Sequence, residues 1–480
     1  MAKDPVLVLQ MQRMGDMILS FPLFLWIARS YPGRELHVVA EEAFFHPLMP
    51  VSPPATYITW PAAAAGALSG RRYRLIVNLS IREEAARLAG SLDADIKVGP
   101  VRGADGVLRI HGAWQLYRAS LVGLGRHNRF HWADLNGLDL VSLKVTRLTN
   151  FAPPRKPDAG NLNVALFVGA SDPGKRPDPE FYSRLARALL ERGLKPTLLG
   201  GPADRPVADA IRAHSGLPLV DLAGRLSLAE LAEYGKTLAL MITPDTGPMH
   251  LAAWTGLPTL NLSVGHVNPW DTGPYQPGHL VLRSSASCAR GCWGCRQKSY
   301  LCRAGLEAKP VAALAALCVK GQRQRLEGMK LPGLELFETV RTEEGLFGLR
   351  RLGPGAAAKA SDLAGEFWRR FFLWRHAGEP EARVRAAWQD LALGQPKLAR
   401  SLKASLPKLS RGVARLAREH SAGVSPGAAS QVISREAPPF WGLLASSLEM
   451  AGQNADASQA WARESLELLE HLALLLDQPT

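Results

Sequence analysis

The pattern that most limits this chain is an alternation of short apolar runs and helical stretches that runs once, breaks and starts again. Val6–Gln10, Glu35–Ala40, Thr56–Trp60 and Tyr73–Leu79 read as strands, with helical pieces between them, Met17–Ser30 among these. Buried parallel strands read as continuous apolar runs, and their alternation with helices builds a sheet covered on both faces. A stretch rich in Pro, Lys and Asp at Phe151–Asn161 then interrupts the pattern, as an interdomain linker does. Beyond it the alternation resumes. Asn163–Gly169, Lys195–Gly200, Leu238–Thr243 and Pro258–Ser263 read as strands, and Pro179–Arg192, Ala203–His214, Leu228–Gly235 and Pro248–Thr255 as helices. Ser227 and Glu230 are spaced as a capping box at the start of the third of these helices.

The expected fold is therefore α/β, with two Rossmann-like domains over residues 1–155 and 156–325. A chain of 480 residues exceeds one hydrophobic core, which agrees with that division. Residues 326–480 change character. Asp362–Trp374, Pro380–Leu393, Leu398–Glu419 and Trp441–Leu476 read as amphipathic helices, Ser421–Phe440 as a Ser/Gly/Pro-rich loop, and no second sheet is expected there. Acids and bases are mixed in this tail, which favours a helical bundle over a partner-docking or membrane-surface element.

Each of the first two domains carries a turn at a strand exit that joins a glycine to a carboxylate. In the first, Gly15 lets another molecule approach the sheet edge, and Asp16 can accept a proton from a hydroxyl or cap the following helix. In the second, Asp245 can cap the helix, while Thr246, Gly247 and the free amides after them can cradle a phosphate. Pro248 removes one donor from that first turn, and His250 follows on it. The turn Gly169–Arg176 offers the Ser171 hydroxyl and the positive charge of Lys175 and Arg176, suited to a departing diphosphate. Gly200-Gly201-Pro202 and Gly265–Pro269 are further glycine-bearing exits that would line the same sheet edge.

The net charge of +14 suits anionic partners. No run of eighteen uncharged apolar residues is present, and the N-terminal stretch with Lys3, Asp4, Gln10, Gln12 and Arg13 is no secretory signal, so a cytoplasmic location is expected. All five cysteines lie between 288 and 318, which argues against a secreted disulfide scaffold. Cys288, Cys292, Cys295 and Cys302 are spaced to wrap a structural zinc or iron centre, or else are unligated thiols on a loop. Arg290, Arg296 and Lys298 around them would lower thiol pKa values.

Together these turns resemble glycosyltransferase family 9, the bacterial heptosyltransferases of lipopolysaccharide synthesis. The resemblance rests on Arg13-Met14-Gly15-Asp16-Met17-Ile18-Leu19 with Pro22, on Gly169–Pro177, and on Asp245-Thr246-Gly247-Pro248-Met249-His250-Leu251-Ala252-Ala253. Gly256-Leu257-Pro258 and Asn268–Tyr275 continue it, so that residues 5–325 are covered. It implies the two-lobed GT-B architecture, with an acceptor lobe first and a nucleotide-sugar lobe second. It also implies inversion at the anomeric carbon with no metal required.

The resemblance implies that Asp16 is the general base or an acceptor-orienting carboxylate, with Arg13 and Gly15 beside the substrate, and that Lys175 or Arg176 counters the diphosphate charge. Ser171, Arg176, Asp245, Thr246 and Gly247 bind the donor, and His250 supports their turn. The implied partners are a nucleoside diphosphate sugar of the ADP type and a lipid-linked saccharide or glycoprotein acceptor, with peripheral contact to the cytoplasmic face of the inner membrane and no nucleic acid. Some relatives hold iron on a cysteine cluster. Pro248, the Pro173-Gly174 pair and the tail depart from the family pattern. A catalytically inactive GT-B protein acting through that tail is the alternative, and a zinc-containing nucleic-acid binder lacks the aromatics interleaved with bases that such surfaces use.

Overall fold

In a computed structural model the protein is described over residues 3–477, apart from 287, 289–291, 293, 296, 304, 355–357 and 423–431. Arg290, Arg296 and residues 423–431 of the Ser/Gly/Pro-rich loop lie outside the described residues.

The first lobe is a six-stranded sheet. Its strands are β1 (Val6–Leu9), β2 (Leu36–Ala40), β3 (Thr56–Thr59), β4 (Arg72–Asn78), β5 (Asp93–Arg102) and β6 (Leu108–His111), in the spatial order β3-β2-β1-β4-β5-β6. All pairs are parallel except β5–β6. The central strand β1 is buried along its whole length, as its Val-Leu-Val-Leu run requires. The helical stretch after it is broken into Met14–Ile18 and Phe21–Ser30, and Pro22 occupies the first turn of the second piece. An early proline has no intrahelical N–H to lose there. The strands β5 and β6 were not expected from the sequence; Gly99, Pro100 and alternating charges hide β5, and β6 is a short, half-exposed edge.

The second lobe contains β7 (Asn163–Phe167), β8 (Lys195–Leu199), β9 (Val220–Asp221), β10 (Leu240–Pro244), β11 (Thr259–Ser263) and β12 (Leu280–Ser284). The capping box at Ser227 forms, with Glu230 N to Ser227 Oγ at 3.2 Å and Ser227 N to Glu230 Oε2 at 2.8 Å. This sheet runs on into residues that the sequence assigns to the helical tail. β13 (Leu334–Arg341) and β14 (Phe347–Leu352) add an antiparallel hairpin to β12, giving the order β14-β13-β12-β11-β10-β7-β8-β9. The hairpin alternates Arg and Glu with apolar residues, and its ion pairs Arg350–Glu338 and Arg351–Glu335 run between the two strands.

The remaining tail is helical: Ala360–Ala377, Glu381–Gly394, Pro396–Ser405, Pro407–Ser421, Val432–Glu436, Gly442–Asn454 and Gln459–Asp477. Its apolar faces share one core with first-lobe residues Trp114, Tyr117, Leu121 and Phe130. The tail therefore touches both lobes. Asn454 brackets Ile110 on the edge strand β6, accepting from its N–H at 2.9 Å and donating to its carbonyl at 2.5 Å. At the hairpin turn Gly345 has φ +76° and lies against the Thr146 backbone, a place where any side chain would collide. Glu344 beside it is fully buried and paired with Arg369, Arg370 and Arg383. Arg369 and Arg370 hold its carboxyl well down, to about 2, despite the burial.

Three parts of the chain meet at Asp134, which has no exposed surface. This first-lobe carboxylate accepts the Tyr275 hydroxyl of the second lobe at 2.6 Å and the Phe347 N–H of the hairpin at 2.9 Å, with Arg341 at 3.8 Å. No helix among the described residues is long and apolar enough to cross a membrane.

Candidate active site

In both sheets the strand order reverses at the strand that ends in the acidic turn. In the first, β2 and β4 flank β1 on opposite sides; in the second, β11 and β7 flank β10. Open α/β sheets bind ligands outside the carboxyl ends of the strands at such reversals. The turn Arg13–Asp16 leaves β1, the turn Gly169–Arg176 leaves β7, and the turn Asp245–Gly247 leaves β10. The turns after β1, β7 and β10 meet one another.

The two glycine turns touch. A Cβ placed on Gly15 would stand 3.2 Å from His250 Cδ2 and 3.5 Å from Gly247 Cα, and one on Gly247 would strike the Met14 side chain. Absence of side chains at both positions is what lets the lobes approach this closely. Arg13 Nη1 donates to the Ser171 hydroxyl at 3.2 Å, a second bridge across the cleft.

Asp16 lies on the first turn of the helix Met14–Ile18 rather than at its N-cap, which is Arg13, and its carboxylate accepts a hydrogen bond from the Arg13 backbone. Its carbonyl is held by the Ser20 hydroxyl at 2.8 Å and by Gln10 Nε2 at 3.4 Å, and Gln10 also donates to Ser20 at 3.0 Å. Burial raises the carboxyl above the ordinary aspartate range. Arg118, the Arg13 backbone and side chain, and Lys175 draw it back only in part. Arg118 comes from the helix Ala113–Ser120, donates to Asn136 Oδ1 at 3.0 Å and lies 5.0 Å from the centre of the Trp132 ring. No local motif announces it in the sequence, and it was not expected.

Asp245 also does not cap its helix; Thr246 stands at the N-cap, without a side-chain bond. The buried Asp245 carboxylate instead accepts from the Thr272 hydroxyl at 3.2 Å and lies 3.8 Å from Lys175 Nζ. Thr272 ends a four-residue helix, Pro269–Thr272, anchored from the first lobe. Asn128 Nδ2 donates to Asp271 Oδ1 at 2.7 Å, and Asn268 Nδ2 donates to the Gly125 carbonyl at 3.1 Å. Burial drives the Asp271 carboxyl up to about 7 against the pull of those two amides. His250 is buried, its Nδ1 has no hydrogen-bond partner, and burial lowers its pKa to about 4. It is neutral at pH 7 and adds no charge to the cleft.

Lys175 sits in a single turn of 3-10 helix, where Asp172 accepts the Gly174 N–H at 2.7 Å. The loop after β12 braces that turn from behind. Arg303 Nη2 donates to the Pro173 carbonyl at 2.6 Å, and Cys302 Sγ accepts the Gly265 N–H at 3.1 Å. Arg176 is drawn away from the cleft by Asp204 at 3.3 Å, which leaves Lys175 as the cation facing Asp245.

Cys288, Cys292, Cys295 and Cys302 lie near one another on the loop after β12. Cys302 is buried and already accepts a hydrogen bond, while Cys292 and Cys295 are exposed. Among the described residues no group of three or more His, Cys, Asp or Glu is placed to hold a metal. The Cys292 thiol is raised rather than lowered, by partial burial first and by the neighbouring Cys295, Cys302 and Cys288 after it.

Comparison with known proteins falls in part on these residues. The family model "Glycosyltransferase family 9 (heptosyltransferase)" matches residues 141–300, which include the Lys175 and Asp245 turns. Lipopolysaccharide heptosyltransferase 1 of Pseudomonas aeruginosa is 28% identical over 304 residues, covering 59% of this chain and 85% of that protein. Lipopolysaccharide heptosyltransferase 3 of Escherichia coli K12 is 25% identical over 292 residues, covering 53% and 82%. Among solved structures, a family 9 glycosyl transferase from Veillonella parvula superposes with a TM-score of 0.52 at 21% identity, over 66% of this chain and 97% of that one.

Proposed function

We propose that the chain is a glycosyltransferase of family 9 that transfers a heptose or related sugar from an ADP-type nucleoside diphosphate to a lipopolysaccharide core or another cell-surface acceptor, with inversion. The observation that carries this reading is the abutment of Gly15 on Gly247. It sets a carboxylate of one lobe opposite a carboxylate–lysine pair of the other.

In this reading an acceptor hydroxyl attacks the anomeric carbon from the first-lobe side and the nucleoside diphosphate departs toward the second. Asp16 takes the hydroxyl proton late in the attack. A carboxyl raised by burial is a stronger base than an ordinary aspartate, which suits that step. The Lys175 ammonium and the amides after Thr246 meet the charge that grows on the departing diphosphate, and so favour the transition state over the bound ground state. Asp245, fixed by Thr272, orients Lys175 and the donor sugar. Neutral His250 packs under the Gly15 turn. Arg13 and Ser171 close the rim. Because Lys175 supplies the counter-charge, the displacement needs no metal. Work on a lipid-anchored acceptor places the enzyme at the cytoplasmic face of the inner membrane.

A thermal-shift screen across nucleoside diphosphates and their sugars tests the reading, since a ligand of the native state raises its stability by about 2.7 kcal/mol at a hundred times Kd. ADP and ADP-heptose are expected to raise Tm above all other nucleotides. No shift with any nucleoside diphosphate would refute the proposal.

A further inference from the structure

The tail carries a surface that the transfer reaction does not use. Residues 396–421 hold seven Lys or Arg and a single carboxylate, Glu419. They form two consecutive helices, Pro396–Ser405 and Pro407–Ser421, and Leu406 between them keeps a helical backbone. Each turns its apolar side inward: Ala399 and Leu402 on the first, Leu409, Val413 and Leu416 on the second, all buried. The cations are left outside. On the second helix Lys408, Arg411, Arg415 and Arg418 follow one another at three- and four-residue steps, so that they form one exposed stripe about 15 Å long. Lys397 and Arg400 extend it on the first helix, both exposed.

Only two cations of this set meet a carboxylate among the described residues: Arg415 pairs with Glu419 at 2.8 Å, and Lys403 lies 3.5 Å from Asp477. Elsewhere in the tail and the hairpin, runs of arginine are neutralised by acids from neighbouring elements. The hairpin and the helix Ala360–Ala377 show the contrast, with Arg350, Arg351, Arg369 and Arg370 each tied to at least one acid.

We propose that this stripe is a docking surface for an anionic lipid bilayer. The inference rests on the reading that the acceptor is lipid-anchored. Clusters of four to eight Lys or Arg on an amphipathic helix are the usual footprint of contact with anionic headgroups. No helix among the described residues is able to span, and the contact proposed is peripheral. The apolar side is already consumed by the protein core, so binding is electrostatic and sensitive to salt. The two helices contain no Phe, Tyr or Trp, which removes the stacking platform that a single-stranded nucleic acid would need. Docking would hold the cleft at the surface where the acceptor is concentrated.

The test is sedimentation of the 480-residue protein with phosphatidylcholine vesicles, with and without phosphatidylglycerol as the anionic lipid. The wild type is expected to sediment with the anionic vesicles only, and to be released by raising salt from 0.1 to 0.5 M. The triple variant K408E/R411E/R418E, changed at exposed positions, is expected to lose at least tenfold in vesicle affinity. It should keep wild-type Tm and wild-type transfer to a detergent-free soluble acceptor. The variant R184E/K195E/K309E removes the same charge from exposed positions of the second lobe and should bind vesicles as the wild type does.

The inference falls if the wild type ignores anionic vesicles, if the tail variant binds like the wild type, or if both variants lose affinity equally. It also falls if a single-stranded oligonucleotide competes the protein off the vesicles at lower concentration than soluble phosphatidylglycerol does. Vesicle binding without any sugar transfer would instead sink the reading of the cleft and leave the surface standing.

Discussion

Two turns with the same ingredients, a glycine and an aspartate at the exit of a central strand, carry out different work in the two lobes. Asp16 meets its cations through space, and burial raises its carboxyl. Asp245 is gripped, by the Thr272 hydroxyl at 3.2 Å and by Lys175 at 3.8 Å. The difference lies in what surrounds each turn. The first-lobe turn is backed by its own helix and by Gln10 and Ser20, which bind only the Asp16 carbonyl and leave the carboxylate unbonded by side chains. The second-lobe turn is backed by a short helix whose anchor, Asn128, belongs to the other lobe. A local motif therefore sets where a carboxylate stands, and distant packing decides whether side chains grip it.

That contrast can be broken in several ways. The largest effect is expected from Asp16→Asn, which keeps the shape and removes the base: kcat should fall by about 10³-fold, within the span of lost general-base catalysis. Lys175→Ala should lower kcat/KM by about 10²-fold, as loss of one preorganised transition-state contact does, and unlike the Asp16 variant it should also weaken ADP. Stopped assays of transfer at saturating and limiting donor separate the two. Asp134→Ala strands the Tyr275 hydroxyl, the Phe347 amide and Arg341 in the interior. It should cost about 3 kcal/mol of stability, read as a lower urea midpoint, because one partner of a buried charged network is removed.

Thr272→Val should cost about tenfold in kcat/KM, the worth of one hydrogen bond to a charged group, and Thr272→Ser should restore it. A valine variant with wild-type kinetics would show that Asp245 needs no second hold. The smallest effect is on the pH profile. A base with a raised pKa puts the acid limb of kcat/KM above the ordinary aspartate range, with activity lost as pH falls through it. Arg118→Leu should move that limb further upward, because Arg118 is the largest influence favouring the charged form. A limb that moves down would reverse the assigned electrostatics.

The parts of this molecule legible in the sequence are those written in contiguous residues. The apolar runs of β1, β7, β10 and β11, the capping box at Ser227 and the turns bearing Asp16, Lys175 and Asp245 all appear in one dimension. What the sequence hides is set by packing. The strand β13 reads Leu-Glu-Leu-Phe-Glu-Thr-Val-Arg, a pattern that a surface helix can also show, and only pairing with β12 and β14 makes it a strand. Arg118 lies some hundred residues from Asp16 along the chain and reaches it only because the helix Ala113–Ser120 folds back over the sheet edge. The cysteine spacing points to a metal site, and it does not reveal that Cys302 accepts the Gly265 amide beside the Lys175 turn.

Side-by-side calorimetric titration of ADP into the Asp16→Asn and Asp245→Asn proteins decides whether the two turns divide the labour as described. The expected result is an ADP Kd within about twofold of wild type for the first and at least about tenfold weaker for the second, a difference of about 1.4 kcal/mol or more. Equal losses in both proteins, or a loss confined to the Asp16 variant, would contradict it.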